Sequence, residues 1–228
     1  MKRIGILGGM SYESTIKYYD LILQKYYDKF NDYNYPEIII FSLNFQKVID
    51  FELGKDKQKY IEYLMSGITA LENAGVNYII MAANSPHVVY EDLVKLSKVP
   101  ILSIIKATLK KAQKENMQKL LLLGIRFTMQ STFYQDYAME LGIDVITPSD
   151  DEQDKINKII FDELVLGFFK QASKNTLLQI INKYKIDGVI LGCTELPLIL
   201  NQNDTKVRLL DTVELHVEAA LNYHFSLE

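Results

Sequence analysis

The sequence carries one cysteine, Cys193, within Gly188-Val189-Ile190-Leu191-Gly192-Cys193-Thr194-Glu195-Leu196-Pro197. Gly188 to Leu191 is a short apolar run of strand type, and polar residues follow at once. Thr194 has the chemistry of a helix N-cap, and Glu195 suits a first helical turn. Pro197 is tolerated there because its missing N–H would be unpaired in any case. The thiol is therefore expected at the C-terminal end of a strand, against the positive end of a helix, where the thiolate is favoured. The same residues also read as a buried, inert cysteine of the kind many cores contain.

An echo of this stretch favours chemistry. Tyr78-Ile79-Ile80-Met81-Ala82-Ala83-Asn84-Ser85-Pro86-His87 has the same design 110 positions earlier. Superposed, Ala82 matches Gly192, Ala83 matches Cys193, Asn84 matches Thr194 and Ser85 matches Glu195. Ile4-Gly5-Ile6-Leu7-Gly8-Gly9-Met10-Ser11 is paralleled in turn by Leu120-Leu121-Leu122-Leu123-Gly124-Ile125-Arg126-Phe127-Thr128. Four strand-to-helix turns thus carry polar caps, and the free N–H groups of such turns are ready anion sites. A small molecule with two carboxylates would suit them. A phosphate ligand is the rival, since Gly8-Gly9 resembles part of a nucleotide loop, but the full pattern with its third glycine and lysine is absent.

Asn84, Ser85, Thr128 and Thr194 are the first candidates for substrate contact, followed by Met10 and Ser11. Plain helix capping would use the same hydroxyl and amide residues. Arg126 is the cation within a cap turn, with a solvated surface arginine as the alternative, and Lys47 is a poorer choice. A nucleophilic or proton-transferring thiol normally needs a base nearby. His87 and His216 are the histidines to consider, each of which also reads as structural. Three scattered histidines and one cysteine lack metal-ligand spacing, so no metal is expected.

The elements that must hold these turns alternate strand and helix from end to end, which predicts an α/β fold with mainly parallel sheets. Strands are expected at Lys2–Leu7, Glu37–Leu43 (buried), Asn77–Met81, Pro100–Ile104, Lys119–Leu123, Ile143–Thr147, Gly188–Leu191 and Val207–Leu210. The first helix begins near Ser11, with an apolar stripe of Ile16, Tyr19, Leu23, Tyr26 and Phe30 at spacings of three and four. Helices are expected over Gln58–Ala74, Pro86–Ser97, Ile105–Glu115, Met129–Leu141, Lys155–Leu166, Gln171–Tyr184 and Asp211–Phe225. Asn44 to Lys55 reads as an irregular segment over the cleft. The repeat predicts two halves, residues 1–98 plus 208–228 and residues 99–207, with the active-site cleft between them. Ligands of such folds lie beyond the carboxyl ends of the strands.

Composition narrows the function further. At 228 residues, 48% hydrophobic and 24% charged, the chain has the make-up of an ordinary globular protein. A net charge of −4 with no basic run gives no case for a nucleic-acid partner. A single cysteine leaves no internal disulfide and fits a reducing cytoplasm. No apolar run approaches the ~20 residues of a membrane helix.

The sequence resembles the aspartate/glutamate racemase family. The resemblance rests on Gly8-Gly9-Met10-Ser11-Tyr12-Glu13-Ser14-Thr15, Ala83-Asn84-Ser85-Pro86-His87, Leu123-Gly124-Ile125-Arg126-Phe127-Thr128-Met129 and Gly192-Cys193-Thr194-Glu195, and it runs over essentially the whole chain. It implies a cofactor-independent amino-acid racemase of two pseudo-symmetric, Rossmann-like halves, a homodimer that uses no pyridoxal phosphate. In that family a cysteine from each half flanks the substrate's α-carbon, one thiolate removing the α-proton and the other thiol returning one on the opposite face. Cys193 stands at the second of these positions and Ala83 at the first, where some members have threonine. Val165 stands where some aspartate racemases place a lysine. The resemblance therefore implies a racemase of a small, dicarboxylic amino acid. The alternatives are a single-cysteine isomerase or decarboxylase of the same superfamily, and a non-catalytic carboxylate-binding homologue.

Overall fold

The computed structural model describes residues 2–54 and 56–226, so Lys55, the last residue of the expected irregular segment, lies outside the described residues. The chain folds as two compact units, Met1–Ile104 with His216–Glu228, and Ile105–Leu215.

In the first unit, β1 (Arg3–Gly8), β2 (Glu37–Ser42), β3 (Tyr78–Met81) and β4 (Ile101–Leu102) form a parallel sheet ordered β2-β1-β3-β4. Ile4, Ile6, Leu7 and all of β3 are buried, as strands covered on both faces must be. β2 lies at the sheet edge and is only partly buried, not the buried strand its apolar run predicts. α1 (Tyr12–Phe30) follows β1, with Ser11 as N-cap accepting from the Ser14 N–H at 3.2 Å. Its buried stripe is Tyr18, Ile22 and Tyr26; Ile16, Tyr19 and Phe30 of the expected stripe are exposed. The phase is set at the helix start. Thr15 Oγ1 accepts from the Gly9 N–H, and Ser14 Oγ donates to the Ala82 carbonyl, which turns those two positions inward.

The segment after β2 is the helix α2 (Phe45–Gly54), not irregular chain. Asn44 starts it: its Oδ1 accepts from the Lys47 N–H at 3.1 Å, its carbonyl from the Val48 N–H, and Val48 is buried. α3 (Lys57–Asn73) is capped by Asp56 and followed by Gly75 in the left-handed region. After β3 the chain makes a 3₁₀ turn, Ser85–Val89, before α4 (Tyr90–Leu96), where one helix from Pro86 was expected.

The second unit repeats the strand order. β5 (Lys119–Leu123), β6 (Asp144–Ile146), β7 (Gly188–Leu191) and β8 (Arg208–Asp211) pair in parallel as β6-β5-β7-β8. Its helices are α5 (Ile104–Lys114), α6 (Arg126–Gln130), α7 (Phe133–Glu140), α8 (Asp150–Asp162) and α9 (Gln171–Ile181), whereas α10 (Thr212–Ser226) belongs to the first unit from His216 onward. The single helix expected over Met129–Leu141 is thus split into α6 and α7. β4 pairs with β3, and β8 with β7, so the boundaries fall at 104/105 and 215/216 rather than at 98/99 and 207/208. Among the described residues no helix is long and apolar enough to cross a membrane.

Candidate active site

Both units bring their polar turns together at the carboxyl edge of two neighbouring strands. In the second unit these strands are β5 and β7. The Gly192 N–H donates to the Leu123 carbonyl, and a Cβ on Gly192 would lie 2.7 Å from Leu122 Cδ1 and 2.8 Å from Leu123 O. Only glycine lets the turn carrying Cys193 lie this close to the end of β5. Thr128 of α6 covers the same junction. Its hydroxyl is buried and makes no hydrogen bond among the described residues.

Cys193 is partly accessible, and its thiol donates to Glu195 Oε2 at 2.9 Å. Thr194 Oγ1 donates to the same oxygen at 2.9 Å. The expected helix is absent here: a three-residue 3₁₀ turn, Leu196–Leu198, follows, and Thr194 does not cap it. The expected fall in the thiol pKa is therefore overturned. Burial raises it well above the ordinary cysteine value, and the Glu195 charge and hydrogen bond raise it further. The Glu195 and Thr194 N–H groups pull the other way and are outweighed. At neutral pH the thiol keeps its proton, with a carboxylate acceptor already in place.

Arg126 does not present a free cation. Its guanidinium pairs with Asp154 in an exposed ion pair, and its N–H donates to Asn157 Oδ1. Val165 packs against the apolar core of this unit.

In the first unit the turns after β1 and β3 meet. The Ala82 N–H donates to the Leu7 carbonyl, and Ser14 Oγ ties α1 to the Ala82 carbonyl at 2.6 Å. Gly9 has φ +80°, and a Cβ there would lie 2.3 Å from Leu43 O, so the turn beside α2 requires glycine. Ser11 caps α1, whereas the Met10 side chain belongs to the apolar core with Leu7, Leu43 and Val48. Ala83, Asn84 and Ser85 are buried at the turn.

The two candidate histidines are structural. His87 Nε2 accepts from the Ile104 N–H at 3.2 Å, and the ring stacks on Tyr90. His216 donates from Nε2 to the Leu102 carbonyl and accepts from Tyr18 at Nδ1, 2.8 Å away. Burial lowers their pKa values to about 3 and about 4, with the neighbouring His216 adding to the fall at His87. Neither is an efficient base.

Sequence reasoning passed over Glu52. It lies on α2, accepts from Tyr60 OH at 2.9 Å and from the Ser85 hydroxyl, and burial raises its pKa above the usual carboxylate value. No apolar periodicity pointed to it: Val48 is the one buried residue of α2, and position 52 falls one helical turn further on only once that segment is a helix. Among the described residues no group of His, Cys, Asp and Glu could hold a metal ion.

The doubled α/β fold has known counterparts. A family model for Asp/Glu/hydantoin racemases matches residues 7–220. The chain is 30% identical over 214 residues to the broad specificity amino-acid racemase RacX of Bacillus subtilis (strain 168), covering 92% of each protein. It is similar to the crystal structure of an aspartate racemase homologue from Pyrococcus horikoshii OT3, with TM-score 0.86 and 40% identity over 98% of this chain and 99% of that one. The glutamate racemase of Francisella tularensis, at 18% identity, shares the fold with TM-score 0.72 over 99% of this chain and 81% of that one. The chain belongs to the Asp/Glu/hydantoin racemase family.

Proposed function

We propose that the protein is a cofactor-independent amino-acid racemase of the aspartate/glutamate type, in which Cys193 exchanges a proton with the substrate's α-carbon. The observation that carries this reading is the Cys193–Glu195 pair. The thiol holds a proton, and Glu195 accepts it when Cys193 must act as a base. Removing the α-proton leaves its electron pair delocalised into the substrate carboxylate. The buried, unpartnered Thr128 hydroxyl and the Thr194 hydroxyl are suited to receive that carboxylate. Asn84, Ser85 and the cap residue Ser11 are the contacts we assign in the first unit.

With Arg126 engaged by Asp154, no free cation of the α6 turn selects an acidic side chain, so neutral amino acids belong in the substrate panel beside aspartate and glutamate. We infer a homodimer. The exposed Tyr12, Ile16 and Tyr19 on α1 form the apolar stripe that favours one.

The test is proton NMR in D₂O on both enantiomers of aspartate, glutamate and a set of neutral amino acids, with chiral chromatography on the same samples. Exchange with inversion, lost in Cys193→Ser, is the expected result. Exchange of one enantiomer without inversion would instead make the protein a single-cysteine enzyme. Binding without any exchange would make it a carboxylate binder.

A further inference from the structure

Racemisation needs a proton carrier for each face of the α-carbon, and the resemblance of the sequence to its family leaves alanine at position 83. An alanine methyl carries no proton. The first unit nonetheless holds a carboxylate and a hydroxyl in one hydrogen-bonded line at the same turn. Ser85 lies two residues beyond Ala83 and is buried. Its hydroxyl donates to Glu52, whose other contact is the Tyr60 hydroxyl at 2.9 Å. Tyr60 is itself almost fully buried, and α2 and α3 are joined here by the Phe51–Tyr60 and Phe51–Tyr63 ring contacts.

Nothing in the fold of α2 requires a carboxylate at this point. Val48 alone is fully buried on that helix, and among the described residues Glu52 forms no ion pair with a lysine or arginine that would account for its charge. Burial raises the basicity of a carboxylate, as it does at Glu52 against the pull of its two hydroxyl donors, and so suits it to general-base work.

We propose that Glu52, acting through Ser85, is the first unit's proton carrier and does the work of a thiol at position 83. This rests on the racemase reading above. In the step, the α-C–H bond breaks and its proton passes to Ser85 Oγ as the Ser85 hydroxyl proton passes to the Glu52 carboxylate. The electron pair stays on the substrate as the enolate. The Cys193 S–H bond then breaks to form the new C–H bond, leaving a thiolate. Reaction of the other enantiomer runs these transfers backwards, from protonated Glu52 and the Cys193 thiolate. Burial of Glu52 raises its basicity, and the raised thiol pKa of Cys193 keeps its proton on, so the resting pair is one base and one acid.

The experiment follows α-proton exchange in D₂O of each enantiomer separately, for wild type, Glu52→Gln, Ser85→Ala, Cys193→Ser and the double variant Ala83→Cys/Glu52→Gln. Glutamine keeps the shape and hydrogen bonds of Glu52 but cannot take a proton. Glu52→Gln is expected to lose exchange of one enantiomer by at least about 100-fold, the span general acid–base groups supply. Cys193→Ser is expected to lose the opposite enantiomer. A thiol at position 83 should restore exchange in the double variant, which a purely structural Glu52 would not allow. If Glu52→Gln does not fold, Ser85→Ala carries the same prediction. Wild-type exchange of both enantiomers in Glu52→Gln or Ser85→Ala would overturn the proposal and leave the racemase reading standing. A folded wild-type protein that exchanges no amino acid would overturn both.

Discussion

At the scale of single residues, the sharpest feature is the charge beside the thiol. Glu195 holds the Cys193 proton by a hydrogen bond and by its negative charge, and both raise the thiol pKa. Glu195→Gln removes the charge while keeping an acceptor, so the thiol pKa must fall back toward its ordinary value. The rate of alkylation by iodoacetamide against pH reads this directly. The midpoint is expected to move down, with faster labelling near pH 8 in the variant. An unchanged or higher midpoint would remove Glu195 from the account. Cys193 was legible in the sequence because it is unique and because its turn is repeated. The sign of its pKa shift was not. Residues 194–197 have the composition of a helix start, yet the chain tightens into three residues of 3₁₀ turn and turns the Glu195 carboxylate back onto the sulfur.

At the scale of elements, the strand ends decide where the chemistry sits. Gly192 lets β7 end hard against β5, with Thr128 Cγ2 3.7 Å from where a Cβ would stand. Gly192→Ala must push against the Leu123 carbonyl, and overpacking of this kind costs about 1–3 kcal/mol. A lower urea midpoint at an unchanged slope is expected, together with a loss of turnover larger than the loss of stability. The strands were readable because fully buried parallel strands are unbroken apolar runs. Lys119–Leu123 and Gly188–Leu191 match the sequence expectation residue for residue. α2 was not readable as a helix because only Val48 of it is buried, so its stripe is one residue deep. The misjudged face of α1 has another origin. Ser14 and Thr15, small and polar, set the phase by hydrogen bonds that a count of apolar residues ignores.

At the scale of the whole molecule, the buried histidines link stability to pH. His87 and His216 stay neutral in the folded chain down to about pH 3 and about pH 4, whereas in the unfolded chain they charge below about 6.5. Below that pH the unfolded chain binds more protons. Their contribution is thus complete above about pH 6.5 and is lost as the pH falls toward the folded values. Each histidine adds a slope of about 1.4 kcal/mol per pH unit in that window. Urea unfolding should show stability dropping steeply between pH 6 and pH 4.5. His216→Gln should flatten that slope even if it lowers stability at pH 7. An unchanged slope in the variant would mean that carboxylates alone govern the acid limb.

The first unit is not continuous along the chain: it runs to Ile104 and is taken up again only at His216. Tyr18 waits for His216, and Tyr78 for the Ala220 carbonyl, both contributed by α10. During synthesis, all of residues 105–215 are made, and emerge, ahead of those partners. The half that is made first is therefore finished last. The later half can close its sheet and bury its strands while the earlier one still holds two tyrosine hydroxyls without their native partners. The turns of α10 around His216 and Ala220 act as a latch on the unit made earlier. In a growing polypeptide, the turn that carries Cys193 can therefore form before the fold around Tyr18 and Tyr78 is complete.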